Sequence, residues 1–166
     1  MKSKYSTKEI VLTGLGIAVV FVATMYIKIP NALNGYFNLG DGFILLFSSF
    51  LNPLPAFLVG GLGSALADLA GGYAYYFLPT LIIKGLEAIV VSILMKKYAK
   101  KAQIPAYILG AIIMVFGYFL AKWYLKGSMA IALTGIPENI FQSAVGVIIA
   151  FIAYPLVDKI LNKNSK

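Results

Sequence analysis

The chain is 166 residues long, 60% hydrophobic and only 12% charged, with a formal net charge of +8. So few polar side chains cannot clothe a soluble domain, which leaves an integral membrane protein. The positive charge does not signal nucleic acid, because the lysines sit at the ends of apolar segments and not on one solvated face; Cys and His are absent, so disulfides, the usual general base and the commonest transition-metal ligand are excluded.

A basic lead from Met1 to Lys8 precedes an apolar run at about 9–28. The run is long for the apolar part of a secretion signal and no A-x-A-like site follows, so it is expected to remain as helix 1. Gly14 and Ala18 form a small-xxx-small step on its otherwise smooth apolar surface, which suits close approach of a partner helix. The loop "NALNGYFNLG" follows, and in "GYFNLGDGF" the position of Asp41 suits a helix N-cap. Asn38 is not explained by capping and is the pocket candidate of the two.

Residues 41–70 are divided by "NPLP", where Pro53 and Pro55 remove backbone donors and disfavour helix just before them. Two short helices, 41–51 and 55–70, are expected. Gly60 with Ser64, and Gly63 with Ala67, supply further small-residue steps, of the kind that pack helices within one chain. The loop "GGYAYYF" then leads into helix 4 at 78–95.

Helix 4 carries Lys84 and Glu87 about 9 and 13 Å below its outer end at ~1.5 Å per residue. Charges at such depth are costly, so they face the bundle interior and have partners. At i, i+3 the two share a face, and Asp68 at the end of helix 3 is a second possible partner for Lys84. With Lys84 held by Asp68, Glu87 is left for ligand binding. Helix 5, at 104–123, ends at Trp123, which suits an interfacial anchor as well as a stacking platform. Helix 6, at 138–157, opens with "GIPENIFQSAVG": Pro137 and Glu138 fit a helix start, and Asn139 and Gln142 share a face with Ser143 and Gly146. Buried amides demand hydrogen-bond partners, which a heterocyclic ligand can supply.

Ten of the fourteen basic residues form three clusters: Lys2, Lys4 and Lys8; Lys96, Lys97, Lys100 and Lys101; and Lys159, Lys163 and Lys166. If lysine marks the cytoplasmic side, an even number of crossings separates them. A compact all-α bundle of six transmembrane helices satisfies this as one domain over 1–166, with both termini cytoplasmic; a re-entrant hairpin at 41–70 satisfies it too. The outer loops are then 29–40, 71–77 and 124–137, rich in glycine and in rings such as Tyr36, Phe37, Tyr73, Tyr75, Tyr76 and Phe77. An aromatic belt explains many of these rings, but their excess on one side favours a lidded outer pocket. No GxxxxGK[ST], HExxH or kinase-like motif occurs, so the chain has no ATPase of its own, and binding or transport remains.

The ordered set "IKIP", "GYFNLGD", "GSALADLAGGYAYYFLPT" and "IKGLEA" resembles the substrate-binding S components of bacterial energy-coupling-factor (ECF) vitamin transporters, over about residues 10–150. The resemblance implies a subunit of the bacterial cell membrane that captures a vitamin or precursor from outside. It also implies docking to a transmembrane coupling subunit with two ATPase subunits, and no cofactor. It places Glu87, Asn139 and Gln142 on pocket-forming helices, with Lys84, Glu138, Asn38, Tyr76 and Trp123 as further pocket candidates, and Gly14 and Ala18 on the docking helix. The overall look is closest to members assigned to hydroxymethylpyrimidine or pyridoxine, while pantothenate, thiamine, folate and riboflavin carriers share the frame. A self-sufficient secondary transporter or small channel using Lys84, Glu87 and Asp68 as an ion relay is the alternative class.

Overall fold

A computed structural model describes residues 5–30 and 36–163. Lys2, Lys4, Gly35 and Lys166 lie outside the described residues. Helix α1 runs Thr7–Tyr26 and is capped by Ser6, whose hydroxyl accepts from the Glu9 amide. Two three-residue strands follow, β1 (Lys28–Pro30) and β2 (Tyr36–Asn38), paired antiparallel with Lys28 opposite Asn38. This hairpin lies where only a loop was expected, because so short a pairing leaves no alternating run to detect. The Asn38 side chain then accepts from the Gly40 amide and turns the chain into α2, Gly40–Ser48.

After Asn52 the chain re-enters helix at Pro53, which suits a first-turn position. Helices α3 (Pro53–Phe57) and α4 (Gly63–Ala70) are joined through a π-helical turn, Leu58–Leu62, into one rod. Gly60 and Gly61 sit in that turn for a packing reason: a Cβ on either would come within 2.7 Å of a carbonyl oxygen of the next long helix. That helix, α5, spans Phe77–Tyr98, preceded by a 3₁₀ turn at Ala74–Tyr76. Helix α6 covers Gln103–Lys126, α7 is the short Met129–Leu133, and α8 runs Ile136–Lys163 with Pro155 inside it. Helix α7 was not anticipated, since five residues show no complete amphipathic period.

Burial is arranged inside out relative to a soluble protein. Thr24, Asp41, Ser64, Lys84, Glu87 and Gln142 are buried, while Ile10, Leu15, Ile82, Ile112, Phe116 and Ile152 are exposed. In water that distribution would be unfavourable; in hydrocarbon the exposed apolar surface is the solvated one. Four stretches among the described residues are long and apolar enough to cross a membrane: Thr7–Tyr26, Pro53–Ala70, Ala74–Lys126 and Met129–Leu161.

The bundle has two distinct ends. At one, Lys8 donates to the Leu161 carbonyl at 2.8 Å, and the Glu9 carboxylate accepts both the backbone and side-chain N–H of Asn52, at 2.7 and 2.9 Å. Ser49 and Tyr107 share a 2.9 Å hydroxyl contact there. The end of α1, β2, the start of α2 and the starts of α5 and α8 form the other end. Thus α2 and the turn to Asn52 run antiparallel beside most of α1, from Thr24 back to Glu9. Apolar packing around Leu45, Val91, Met95, Ala106, Tyr107 and Ala150 fills the first end. The second end holds a cavity.

Candidate functional site

The cavity has a volume of about 370 Å³, within the range of small-molecule sites. Its walls come from α1, β2, α4, the Ala74–Tyr76 turn, α5, α6, α7 and α8. Six of the eight pocket candidates line it: Lys84, Glu138, Asn139, Gln142, Asn38 and Tyr76. Residues separated by a hundred positions meet there, because α2 and α8 approach backbone to backbone: a Cβ on Gly146 would lie 2.8 Å from Asp41 Cβ.

A continuous hydrogen-bonded chain forms the floor. Lys84 Nζ donates to Asp41 Oδ1 and, at 3.0 Å, to Glu87 Oε2. Asp41 Oδ2 accepts from Gln142 Nε2 at 2.7 Å, and Gln142 Oε1 accepts from the Asn38 amide at 3.1 Å. The floor therefore ties α5 to α2, α2 to α8, and α8 to the hairpin. Each polar group in it is oriented by the next, so a ligand meets side chains already held in place. Lys84 uses two of its three N–H donors on carboxylates, which leaves one for the cavity.

Asp41, expected from its position to cap helix 2, instead lies inside that helix and turns its carboxylate to Lys84 and Gln142; the side chain that accepts from the first amide of the helix is that of Asn38. The partner expected for Lys84, Asp68, also lines the cavity, but the lysine's hydrogen bonds go to Asp41 and Glu87. Glu87 is 1% exposed, accepts from Lys84 and lies outside the cavity lining. Trp123 is also outside the lining: it is 44% exposed and packs its ring against Phe119 at 6.1 Å.

Rings form one side of the cavity. Tyr118 lies 5.6 Å beneath Lys84 Nζ, accepts an edge contact with Tyr76 at 6.4 Å, and shares a 3.0 Å hydroxyl contact with Thr80. Tyr75 and Tyr76 are 4.9 Å apart, and Lys126 sits 5.4 Å over the Tyr75 ring. Tyr118, Thr80, Thr24, Lys122 and Lys126 also line the cavity although no sequence pattern marks them, and so does Ser64, which the sequence marks only as a helix-packing position. Lone hydroxyls and a mid-helix tyrosine are unremarkable in apolar helices, and Lys122 and Lys126 read as interfacial charges.

Gly60 and Gly63, expected to pack helices within the chain, press on α5 and on Val20 of α1 respectively. Gly14 and Ala18 are exposed, and a Cβ on Gly14 would meet nothing within 4 Å.

Over residues 4–162 the chain matches the family model described as ECF-type riboflavin transporter, S component. It is 39% identical over 132 residues to an uncharacterized protein of Pyrococcus woesei, covering 78% of this chain and 88% of that one. It is 27% identical over 154 residues to the thiamine precursor transporter HmpT of Lactococcus lactis subsp. cremoris, covering 92% and 89% of the two chains. Among solved structures it superposes on one described as the S component of a bacterial ECF transporter, with a TM-score of 0.73 at 20% identity over 93% of this chain and 97% of that chain.

Proposed function

The chain belongs to the S components of ECF-type transporters, and on that premise we propose that it captures a small heteroaromatic B-vitamin precursor, of the hydroxymethylpyrimidine or pyridoxine type, in the cavity above Lys84. Membership makes it a membrane-embedded, vitamin-type substrate-binding subunit and not an enzyme. The observation that carries the finer reading is the pre-oriented polar floor, with Lys84, Gln142 and Asn38 linked through Asp41 beneath a wall of tyrosine rings. Ring nitrogens and hydroxyls of a flat ligand pair with the Lys84 ammonium and with Asn139, Gln142 and Asn38, while Tyr76 and Tyr118 cover its face. A cavity of about 370 Å³ accommodates a single substituted ring. The relative named a thiamine precursor transporter, alike along most of both chains, supports the same choice.

Glu87 acts through Lys84, neutralising and positioning it. Glu138 and the lysines Lys122 and Lys126 line the cavity near α7 and the start of α8, and adjust its potential. Gly14 and Ala18 supply the docking face for a transmembrane coupling subunit, which links the chain to two ATPase subunits. The bundle crosses the membrane six times as one domain, with the lysine-rich end and both termini cytoplasmic; the antiparallel course of α2 along α1, down to Glu9, supports a full crossing over a re-entrant hairpin. A thermal-shift screen of the purified chain against B vitamins and their precursors tests the reading, because a ligand that binds only the folded state raises its melting temperature. The largest shift is expected from hydroxymethylpyrimidine or pyridoxine.

A further inference from the structure

Helices α1 and α4 form the cavity wall facing away from α8, and each carries a buried hydroxyl there. Thr24 is 6% exposed and Ser64 2% exposed, both line the cavity, and neither hydroxyl oxygen has a hydrogen-bond partner among the described residues. Within helices such hydroxyls ordinarily bond back to a carbonyl one turn earlier; here they do not. A polar atom left unsatisfied in a low-dielectric interior is destabilising, so its persistence calls for a partner that arrives later.

The local backbone explains the placement. A Cβ on Gly63 would sit 2.9 Å from Val20, so α1 and α4 cross tightly at that pair, with Ser64 next to it and Thr24 one turn beyond. The π-helical turn at Leu58–Leu62, immediately before this crossing, adds a residue to the rod. It lets Gly60 face α5 while Ser64 and Asp68 line the cavity, and such turns recur at functional sites. The Thr24 hydroxyl lies against Gly40, where any side chain would displace it, beside the Asn38 side chain that starts α2.

We propose that Thr24 and Ser64 form a subsite that binds the hydroxyl substituent of the ligand, so that α1 reads ligand chemistry on one face and presents Gly14 and Ala18 on another. Both oxygens are buried as they stand, so on this proposal the hydroxyls turn into the cavity about χ1 when the ligand binds. Both can donate and accept, which matches a neutral alcohol and discriminates against a methyl group at the same place. The subsite rests on the capture function proposed above.

The test uses the full chain in detergent and paired probes: hydroxymethylpyrimidine against its 5-methyl analogue, pyridoxine against 4-deoxypyridoxine, and riboflavin against 5′-deoxyriboflavin. Whichever hydroxylated compound binds the wild type should bind about tenfold or more tightly than its deoxy partner, the size of one good hydrogen bond. In Thr24→Val and Ser64→Ala that preference should shrink towards unity, with affinity for the deoxy compound kept within about twofold, while Thr24→Ser should retain it. Equal weakening of both members of a pair, or an unchanged preference in both variants, overturns the subsite and leaves the capture function standing. Binding of none of the six compounds to the wild type overturns both.

Discussion

Lys84 and Asp41, forty-three positions apart on α5 and α2, form an ion pair with both side chains sealed from solvent at 4% and 2% exposure. Asp41 also holds Gln142, and Gln142 holds the end of the hairpin at Asn38, so this pair joins the floor of the cavity to its rim.

Replacing Lys84 with Met leaves two carboxylates, Asp41 and Glu87, without their shared cation. Removing one partner from a buried pair costs about 3–5 kcal/mol. The expected outcome is a marked fall in the melting temperature in detergent together with loss of ligand binding. Glu87→Gln should behave differently, because an amide oxygen still accepts from Lys84 while the Asp41 pair persists. Ligand affinity within about threefold of wild type, by calorimetry, is expected; a loss of a hundredfold would make Glu87 a direct ligand.

Gln142→Leu removes the link between Asp41 and Asn38. Hydrogen bonds to charged groups contribute about 1.5–3 kcal/mol, so affinity should fall roughly ten- to hundredfold. The loss should appear in the dissociation rate, because the hairpin is no longer tied to α8. Stopped-flow release of bound vitamin measures it.

Bulky residues separate the two classes of small position. Gly14→Leu or Ala18→Leu should preserve binding by the purified chain and abolish uptake in cells that supply the coupling and ATPase subunits. Gly60→Leu should fail to accumulate as folded protein, since even its Cβ would come 2.6 Å from the Lys84 carbonyl. Loss of binding in the Gly14 variant would reassign that face to internal packing.

The chain has no cysteine, so single cysteines report orientation without background. A cysteine at Tyr75 should react with a membrane-impermeant thiol reagent added to intact cells, and one at Lys97 only after permeabilisation. The reverse pattern would invert the bundle.

Much of this site is visible in the residues because hydrocarbon makes polarity conspicuous. Lys84, Asn139 and Gln142 stand out in apolar runs, and all three line the cavity. Asp41 was disguised by its place at a helix start, where a cap explains a carboxylate equally well. Its pairing with Lys84 depends on how α2 lies against α5 and α8, which no local pattern encodes. Glu87 stands out by its charge, but only the fold shows that it is bonded to Lys84 and lies outside the cavity lining. Thr24 and Ser64 do not stand out as ligand contacts for the opposite reason: a small hydroxyl in an apolar helix ordinarily bonds its own backbone, and Ser64 also fits a small-residue packing step with Gly60.

Calorimetric titration of the purified chain with hydroxymethylpyrimidine and pyridoxine, alongside thiamine, riboflavin, folate and pantothenate, is the direct test of ligand capture above Lys84. One-to-one binding of a single-ring compound, with a Kd below about 1 µM corresponding to roughly 8 kcal/mol or more, and its loss in Lys84→Met, is the predicted result. Saturable binding of none of these compounds, or tight binding that persists in Lys84→Met, would contradict it.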